Sequence, residues 1–540
     1  MHAHWLILYG LLQAGLSHGA YIWPSEHDFL EDILYLQSGY IHFGFIDGVS
    51  PCSFGTNIEG RQNAAEWIRT AYHDMSTHDA AAGTGGLDAS ILFELDREEN
   101  PGSAFNNTFG FLSNFYTSRS GAADLLAMSV VIATGSCGGL AIPFRAGRID
   151  AAEAGPVGVP EPQQDLTTHI NRFATAGFNI SDMITMVACG HTLGGIHGED
   201  FPEVTGNGTI GQVSHFEGSI GTSFAKFDNA VVTQYLDDST ENPLVVGTNE
   251  TMNSDKRVFG ADANQTMNVL VDETVFQTKC ENILERMINT VPATVTLSDP
   301  LDPIDIKPYI TLMALNSNGT IDFQGRVRLR VTSSTGRDYN DIGMNLTYTD
   351  RYGVYSSNVI TTSQGRYQGG LSSGLFGELF AWFEFSTVLD PKYGISAFNV
   401  HLITLSTGLS TTYANGGRGF PARDDILYQQ PQSCVDISAV DGSSTLTISA
   451  AVRTEEANET VALDLVQSTR RQGIILDALN VETTSLQKTT QVVGDYSIFS
   501  LQIPMNNIGT TFDLVLRTTY EVRIRSQNTR LLIGTTCQAL

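Results

Sequence analysis

Two histidine-containing segments in the N-terminal half combine residue types that can do chemistry. In the first, Arg69 and His73 stand four residues apart, so a helix places both side chains on one face. In the second, His191 closes an apolar run among small residues that leave room for a large, flat group. A solvated helix face and a hydrogen-bonded core histidine are the ordinary explanations, and spacing alone favours them. A zinc site is poorly supported, because neither His73 with His78 nor His191 with His197 has the HExxH arrangement.

The wider sequence around these segments changes that balance. Seven segments, in order and at the expected separation, resemble the plant, fungal and bacterial haem peroxidase superfamily over about residues 50–290. Each alone is a weak signal, whereas seven in register form a specific pattern. The segments are Arg-Thr-Ala-Tyr-His-Asp at 69–74, Gly-Leu-Asp-Ala-Ser-Ile-Leu at 86–92, Glu94 with Asn100, Gly-Arg-Ile-Asp at 147–150, Val-Pro-Glu-Pro at 159–162, Gly-His-Thr-Leu-Gly at 190–194, and Phe-Asp-Asn at 227–229 with Asn-Ser-Asp at 253–255.

This resemblance implies haem b as the cofactor and gives five residues a role. His191 would ligate the haem iron through one ring nitrogen, and Asp255 would accept a hydrogen bond from the other. Across the haem, His73 would take a proton from hydrogen peroxide and return it to the departing oxygen. Arg69 would stabilise the negative charge that develops as the O–O bond breaks. Asn100 would fix the tautomer of His73.

The resemblance also implies calcium. The loop after the distal helix offers carboxylate, carbonyl and hydroxyl oxygens, which are the ligands that calcium prefers, and a solvated acidic loop is the alternative. A second, proximal calcium ion is a further expectation. The expected ligands are Asp74, Gly86, Asp88 and Ser90 for the distal ion, and Thr192, Glu217 and Asp228 for the proximal ion.

Several positions near the expected haem edge restrict the electron donor. A site resembling that of manganese peroxidases would need three acidic residues, but Glu66 is joined by Gln62 and His197. The resemblance places His197 at a haem propionate and Phe216 near the proximal face instead. Met186 stands where lignin peroxidases carry an exposed tryptophan. The remaining expectation is a peroxidase that uses hydrogen peroxide to oxidise small phenolic or aromatic donors in one-electron steps.

The elements that must position these residues change type along the chain. Helical apolar spacing from about residue 60 to 290 gives way to period-two alternation, with a linker at 298–303 and a second seam at 429–432. We therefore expect a mainly α haem peroxidase domain at 21–290, followed by two all-β sandwich-like modules at 296–430 and 431–540.

The β modules have no motif that decides their role. An aromatic run at 376–385 could form a sugar-binding face, but strand periodicity favours sandwich core. Binding of cell-wall polysaccharide and dimerisation both stay open. A different class of function, a secreted adhesion or carbohydrate-binding glycoprotein with an inactive peroxidase-like domain, also stays open. The intact set of distal and proximal residues argues against it.

Composition and processing signals predict a secreted protein. The 540 residues carry a formal charge of -28, which excludes nucleic acids and other polyanions bound through a basic surface. Residues 1–20 resemble a signal peptide, and no later apolar stretch has transmembrane length. Glycosylation sequons occur at Asn106, Asn179, Asn207, Asn249, Asn264, Asn318, Asn345 and Asn458.

The cysteines agree with an oxidising compartment. There are 6, none in a CxxC or other zinc spacing, so disulfides are expected. Cys434 and Cys537 bracket the last hundred or so residues and are expected to pair there. The pairing of the other four is open, with Cys52–Cys137 preferred.

Overall fold

The computed structural model describes residues 21–55, 60–206, 208–217, 223–438 and 442–540. The predicted signal peptide at 1–20 and the sequon at Asn207 lie outside these ranges. The helices of the described N-terminal half are α1 (Asp28–Tyr35), α2 (Asn63–Met75), α3 (Ala104–Leu112), α4 (Ala122–Ser136), α5 (Leu166–Thr175), α6 (Ile180–Gly190), α7 (Pro202–Thr205), α8 (Ala230–Leu236), α9 (Pro243–Val246), α10 (Ser254–Phe259), α11 (Gln265–Val269) and α12 (Glu273–Ile288).

Helices α2, α4 and α6 form the centre of the helical half. α4 is buried at every position from Ala122 to Thr134, as expected for an apolar helix surrounded by other elements. α2 packs against α3 and α4, and α6 packs against α12. Disulfides Cys52–Cys137 and Cys189–Cys280 cross-link this core, so the preferred pairing of Cys52 with Cys137 is confirmed.

Most strands lie in the C-terminal half, and all the paired strands are antiparallel. They are β1 (Ser38–Gly39), β2 (Gly195–His197), β3 (Val213–His215), β4 (Ile306–Leu315), β5 (Ile321–Arg330), β6 (Ile342–Thr349), β7 (Tyr355–Gln364), β8 (Leu371–Ser373), β9 (Leu379–Leu389), β10 (Ala397–Thr404), β11 (Leu409–Tyr413), β12 (Phe420–Pro421), β13 (Ile426–Tyr428), β14 (Cys434–Ile437), β15 (Ser444–Arg453), β16 (Thr460–Thr469), β17 (Ala478–Ser485), β18 (Gln487–Val493), β19 (Tyr496–Met505), β20 (Thr511–Arg517) and β21 (Glu521–Asn528).

The first β module is a 10-stranded sheet that folds over its own core. Its path runs β1-β8-β9-β7-β6-β10-β11, with β5 and β4 attached at β9 and β12 attached at β10. β7 connects the two layers, because its first part pairs with β6 and residues Thr362–Gln364 pair with β9. Side chains from both layers, including Val327, Phe385 and Val400, share one core.

The second β module is a sandwich of two sheets. A 5-stranded sheet with the path β13-β15-β19-β18, and β14 beside β15, packs against a 4-stranded sheet ordered β17-β16-β20-β21. Leu446 and Ile448 of the first sheet share a core with Leu463 and Phe512 of the second. The predicted Cys434–Cys537 disulfide is present in this module.

The N-terminal segment joins the helical half to the first sheet. β1 pairs with β8, and α1 directs the buried carboxylates of Glu31 and Asp32 at β4 and β5. Lys307 Nζ lies 3.0 Å from Glu31 and 2.9 Å from Asp32, and an Arg328 nitrogen lies 2.9 Å from Asp32. The Tyr309 hydroxyl donates to Asp32 over 2.5 Å. These five residues are called the α1 charge cluster below.

Both faces of β9 are buried, which accounts for its aromatic run. Phe383 and Phe385 face the core of the sheet, whereas Phe380 and Trp382 pack with Leu36 after α1. The aromatic run is therefore core, as the strand periodicity predicted.

The order of the two halves is confirmed. Helices dominate the N-terminal half and antiparallel sheets the C-terminal half. The module boundaries stay predictions, and β13, at residues 426–428, pairs within the sheet of the second module. No helix within the described ranges is long and apolar enough to cross a membrane.

Candidate active site

A cavity of about 510 Å³ lies between the helices and receives both histidine segments. Arg69 and His73 line it from α2, four residues apart on one helical face as expected. His191 lines the same cavity from the end of α6. Apolar side chains such as Phe173 and Leu193 complete much of the wall. The two segments that are distant in sequence therefore share one space.

Asn100 determines which nitrogen of His73 carries the proton. The amide nitrogen of Asn100 donates to the Glu94 carbonyl over 3.0 Å, so its oxygen is the atom that faces His73. His73 Nδ1 lies 2.7 Å from that oxygen and must donate to it, which leaves Nε2 as an acceptor. Burial and the Arg69 charge lower the pKa of His73 to about 3, so the ring is neutral near pH 7.

Arg69 brings a positive charge into the cavity without a bonded carboxylate. Among the described residues it forms no ion pair, and its guanidinium donates to the Pro101 carbonyl over 3.0 Å. The rings of Phe105 and Phe201 lie 4.6 and 5.7 Å from the guanidinium carbon. Burial lowers the pKa of Arg69 to about 10, which still leaves it charged at neutral pH.

His191 is held by a carboxylate on the side away from its free nitrogen. Its Nδ1 lies 2.8 Å from Asp255 Oδ2, and the same oxygen accepts from the Asn242 amide over 2.8 Å. Because an ionised carboxylate only accepts, Nδ1 carries the proton and Nε2 keeps its lone pair. Phe216 stacks on the imidazole with ring centroids 4.2 Å apart and an 11° angle between planes. The ring is thus fixed in position and tautomer.

These residues fit a haem group. A histidine whose second nitrogen bonds a carboxylate is the usual form of an iron-ligating histidine. Nε2 of His191 is the atom available as a ligand, and the largely apolar cavity beside it has the volume and lining of a cofactor pocket. The distal residues His73 and Arg69 line the same pocket.

The positions relevant to manganese lie at the cavity but are engaged elsewhere. Glu66 accepts from Arg61 Nε over 2.6 Å. Gln62 donates to two backbone carbonyls, each over 2.9 Å. His197, on β2, lines the cavity near Asp200, and burial lowers its pKa. Of the three positions, Glu66 alone supplies a carboxylate.

Three of the expected distal calcium residues, Asp74, Asp88 and Ser90, are brought together at the end of α2. Asp74 accepts from the backbone N–H groups of Asp88, Ala89 and Ile91 over 2.8–2.9 Å. Asp88 in turn accepts from the Ser90 N–H over 3.0 Å. The loop is therefore folded around the carboxylate of Asp74.

The two buried carboxylates of this loop, Asp74 and Asp88, lie close together, so a cation or a proton would stabilise them. Burial and the Asp88 carboxylate raise the pKa of Asp74 well above its ordinary value. Neither aspartate forms an ion pair with Lys or Arg within the described ranges. Gly86 has φ +111°, and a Cβ there would lie 2.6 Å from the Thr290 carbonyl, so only glycine fits. The oxygen donors of this loop are of the type that hard cations prefer.

The three expected proximal calcium residues also meet. The Thr192 hydroxyl donates to Glu217 over 2.9 Å and lies 2.5 Å from the Asp228 carbonyl oxygen. Burial and Asp228 raise the pKa of Glu217 to about 9. Lys226 Nζ lies 3.0 Å from Asp228 Oδ2 and supplies a positive charge at this point. In the part of the chain that the structure describes, no three His, Cys, Asp or Glu side chains converge as a metal cluster. Calcium at either site would thus need hydroxyl and carbonyl oxygens.

Sequence reasoning missed two supporting residues. Asn242 is fully buried, caps α9 through its carbonyl oxygen and holds Asp255 through its amide. The Asn-Pro pair at 242–243 signals a helix start, but nothing local links it to Asp255. Phe105, on α3, lies between Arg69 and His73, with its ring centroid 5.0 Å from the imidazole centroid.

Comparison with known proteins agrees with this geometry. Residues 55–288 match the family described as Peroxidase. A WSC domain-containing protein of Arthroderma benhamiae is 36% identical over 88% of this chain, which spans 62% of that relative's length. L-ascorbate peroxidase 5 of Arabidopsis thaliana is 32% identical over 37% of this chain and 67% of its own length. Manganese peroxidase 2 of Phlebia radiata is 33% identical over 24% of this chain and 35% of its own. With these matches and the paired histidines of its cavity, the chain belongs to the plant, fungal and bacterial haem peroxidase superfamily.

Proposed function

We propose that the protein is a haem peroxidase that reduces hydrogen peroxide and oxidises small phenolic or aromatic donors one electron at a time. One observation carries the proposal. His73 and His191 line a single cavity, and each has its Nδ1 proton committed to a neighbour, which leaves both Nε2 atoms with lone pairs. One Nε2 suits a metal ligand and the other suits a base. A purely structural pair of histidines would not need both.

Haem would be held by His191, with Asp255 and Asn242 fixing the imidazole and Phe216 covering one of its faces. When bound, haem supplies the redox centre that takes two oxidising equivalents from peroxide and returns them singly to donors. Asp255 increases the electron-donating character of the imidazole by accepting its Nδ1 proton. His197, which lies on β2, is proposed to form a hydrogen bond to a haem propionate.

His73 and Arg69 are proposed to handle the charge and the proton of peroxide. The neutral His73 Nε2 takes a proton from one peroxide oxygen and delivers it to the other, which leaves as water. The unpaired Arg69 charge stabilises the negative charge that develops on that oxygen. Overall, one hydrogen peroxide and two phenols give two waters and two phenoxyl radicals.

Calcium and secretion are parts of the same proposal. Buried carboxylates without a bonded Lys or Arg among the described residues support a distal calcium ion at Asp74, Gly86, Asp88 and Ser90. A proximal ion at Thr192, Glu217 and Asp228 is supported by their geometry, because the Thr192 hydroxyl contacts both the Glu217 carboxylate and the Asp228 carbonyl oxygen. Secretion is supported by three disulfides, which persist in oxidising compartments.

The proposal is tested by the absorption spectrum of the purified protein before and after peroxide. A Soret band that changes with peroxide and returns when a phenol is added is expected. His191→Ala should lose the Soret band or shift its position because the haem iron loses its ligand. His401→Ala, on β10, should leave the band unchanged. Absence of a Soret band in haem-supplemented protein, or an unchanged spectrum in His191→Ala, would refute the proposal.

A further inference from the structure

The polar part of the lining of the cavity beside His73 and His191 is strongly acidic. Eight acidic residues and two arginines contribute to it, and no lysine does so among the described residues. The outer part is formed in large measure by carboxylates from two segments, Glu98 before Asn100 and Glu199, Asp200 and Glu203 around α7.

The Asp200 charge acts on Arg69, but neither arginine pairs with the exposed carboxylates of this outer region. Arg61 is bonded to Glu66, and that pair is almost completely buried. Arg69 lies deeper, against the Pro101 carbonyl and the Phe105 ring. Glu98 and Glu203 are exposed, and within the described ranges neither has an ion pair. A molecule that enters the cavity therefore meets negative charge first.

We propose that this acidic entrance selects the donor by charge, so that cationic and neutral phenols react well and anions, ascorbate among them, react poorly. The inference rests on the proposed peroxidase function and names the donor class of the same site. Charges that line a cleft raise the local concentration of ions of opposite sign and deplete ions of the same sign. At 0.15 M salt these charges act over roughly 8 Å, which is the scale of the entrance rather than of the whole protein.

The chain is similar to ascorbate peroxidases, but this similarity does not by itself decide which donor it uses. Similarity in the distal and proximal segments concerns the peroxide half of the reaction. The donor meets the entrance, where Glu98, Asp200 and Glu203 lie. Donor preference can therefore differ while the peroxide chemistry is shared. In the donor step each phenol loses one electron and one proton and becomes a phenoxyl radical.

The test uses three para-substituted phenols of similar size whose charges near pH 7 are +1, 0 and −1: tyramine, tyrosol and 3-(4-hydroxyphenyl)propionate. At low salt the rate constant for the donor step should fall in that order, with about a tenfold or larger spread between the cation and the anion. Raising the ionic strength should narrow the spread. Ascorbate should behave as the anionic phenol does.

Charge-removing variants locate the effect. Glu98→Gln combined with Glu203→Gln should reduce the cation-to-anion rate ratio by about threefold to tenfold. Asp200→Asn should act in the same direction. Glu459→Gln removes one charge, as Asp200→Asn does, but in the second β module, away from the cavity, and should leave the ratio unchanged. Equal rates for the three phenols, or a ratio that salt and these variants do not alter, would overturn the proposal.

Failure of the peroxidase function would be recognised separately. The spectral response to peroxide is recorded without any donor, so it tests the peroxide step alone. Calorimetric binding of the three phenols to the haem-loaded protein needs no turnover. If tyramine binds more tightly than the propionate and salt reduces this difference in affinity, the charge proposal is supported even in a protein without turnover. The reverse order of affinities would refute it.

Discussion

Arg69 at the cavity and Arg328 in the α1 charge cluster differ in whether a carboxylate compensates their positive charge. Arg328 is completely buried and bonded to Glu31 and Asp32, and burial is outweighed by these carboxylates so that its pKa rises. Arg69 forms no ion pair within the described ranges, and burial lowers its pKa to about 10. The same side chain is thus neutralised in one region and left unpaired in the other.

The paired charge of Arg328 serves the stability of the fold, whereas the unpaired charge of Arg69 is suited to the proposed activity. Unpaired charge near an open cavity costs stability, and that cost is characteristic of sites that must stabilise charge in a reacting molecule. The α1 charge cluster has no such cavity, and its charges are matched by neighbours from α1, β4 and β5. Variants in the two regions should therefore affect different measurements.

The largest effect is expected from removing the distal base. His73→Ala should slow the reaction with peroxide by about 10²- to 10⁴-fold, because the proton must then pass to water. Stopped-flow absorbance at the Soret band measures this rate, and thermal unfolding should show little loss of stability. His42→Ala, at an exposed site, is the control. A His73→Ala protein that reacts at the wild-type rate would remove the distal role.

Breaking the α1 charge cluster should instead destabilise the fold. Arg328→Met leaves Glu31 and Asp32 short of a partner in the interior and should lower the free energy of unfolding by about 3–5 kcal/mol. Arg326→Met, two residues earlier on β5 and half-buried, should cost less than about 0.5 kcal/mol. Denaturant titration measures both. Equal losses would show that the cluster contributes no special stability.

Calcium removal tests whether buried carboxylates outside the cavity also need a partner. Chelation should lower the free energy of unfolding, by about 2.7 kcal/mol where calcium had been present at 100 times its dissociation constant. Without calcium, Glu217 should keep a proton up to about pH 9, whereas the unfolded chain loses it near the ordinary glutamate pKa. Stability should therefore fall as pH rises across that interval, and added calcium should flatten the slope. A transition temperature indifferent to both chelator and calcium would contradict the assignment.

The smallest effect is expected at a residue that supports the cavity from behind. Asn242→Ala removes one hydrogen bond to Asp255 and should reduce haem affinity or peroxide reactivity by about 10- to 100-fold. Haem titration and stopped-flow measurements separate the two. Asn268→Ala, at an exposed position of α11, offers a matched amide loss and should change neither. An unaffected Asn242→Ala would limit the proximal set to His191 and Asp255.

Sequence was informative where the relevant signal is local. Arg69 and His73 are four residues apart on one helix, so spacing predicts their meeting, whereas Asn100, 27 residues after His73, is assigned through the family resemblance. Period-two alternation likewise predicted the strand-rich half and the burial of the β9 aromatics.

Long-range pairings carried no such signal. Glu31 and Asp32 read as the polar face of a short helix, and Lys307 and Arg328 read as ordinary strand charges. Only the fold brings them together. The continuous sheet of the first module was missed for the same reason, because the division of β7 between two partners depends on how the sheet bends. Asn242 belongs to this group as well.

The α1 charge cluster also sets an order of events during synthesis. The ion pair of Asp32 cannot form until Arg328, 296 residues later in the chain, has been synthesised. At about 5–20 residues per second, that interval is roughly 15–60 s. Throughout it, α1 has two carboxylates whose eventual partners on the sheet have not been made. The helical half therefore emerges from the ribosome unfinished, and folding of its first helix is completed from the C-terminal side.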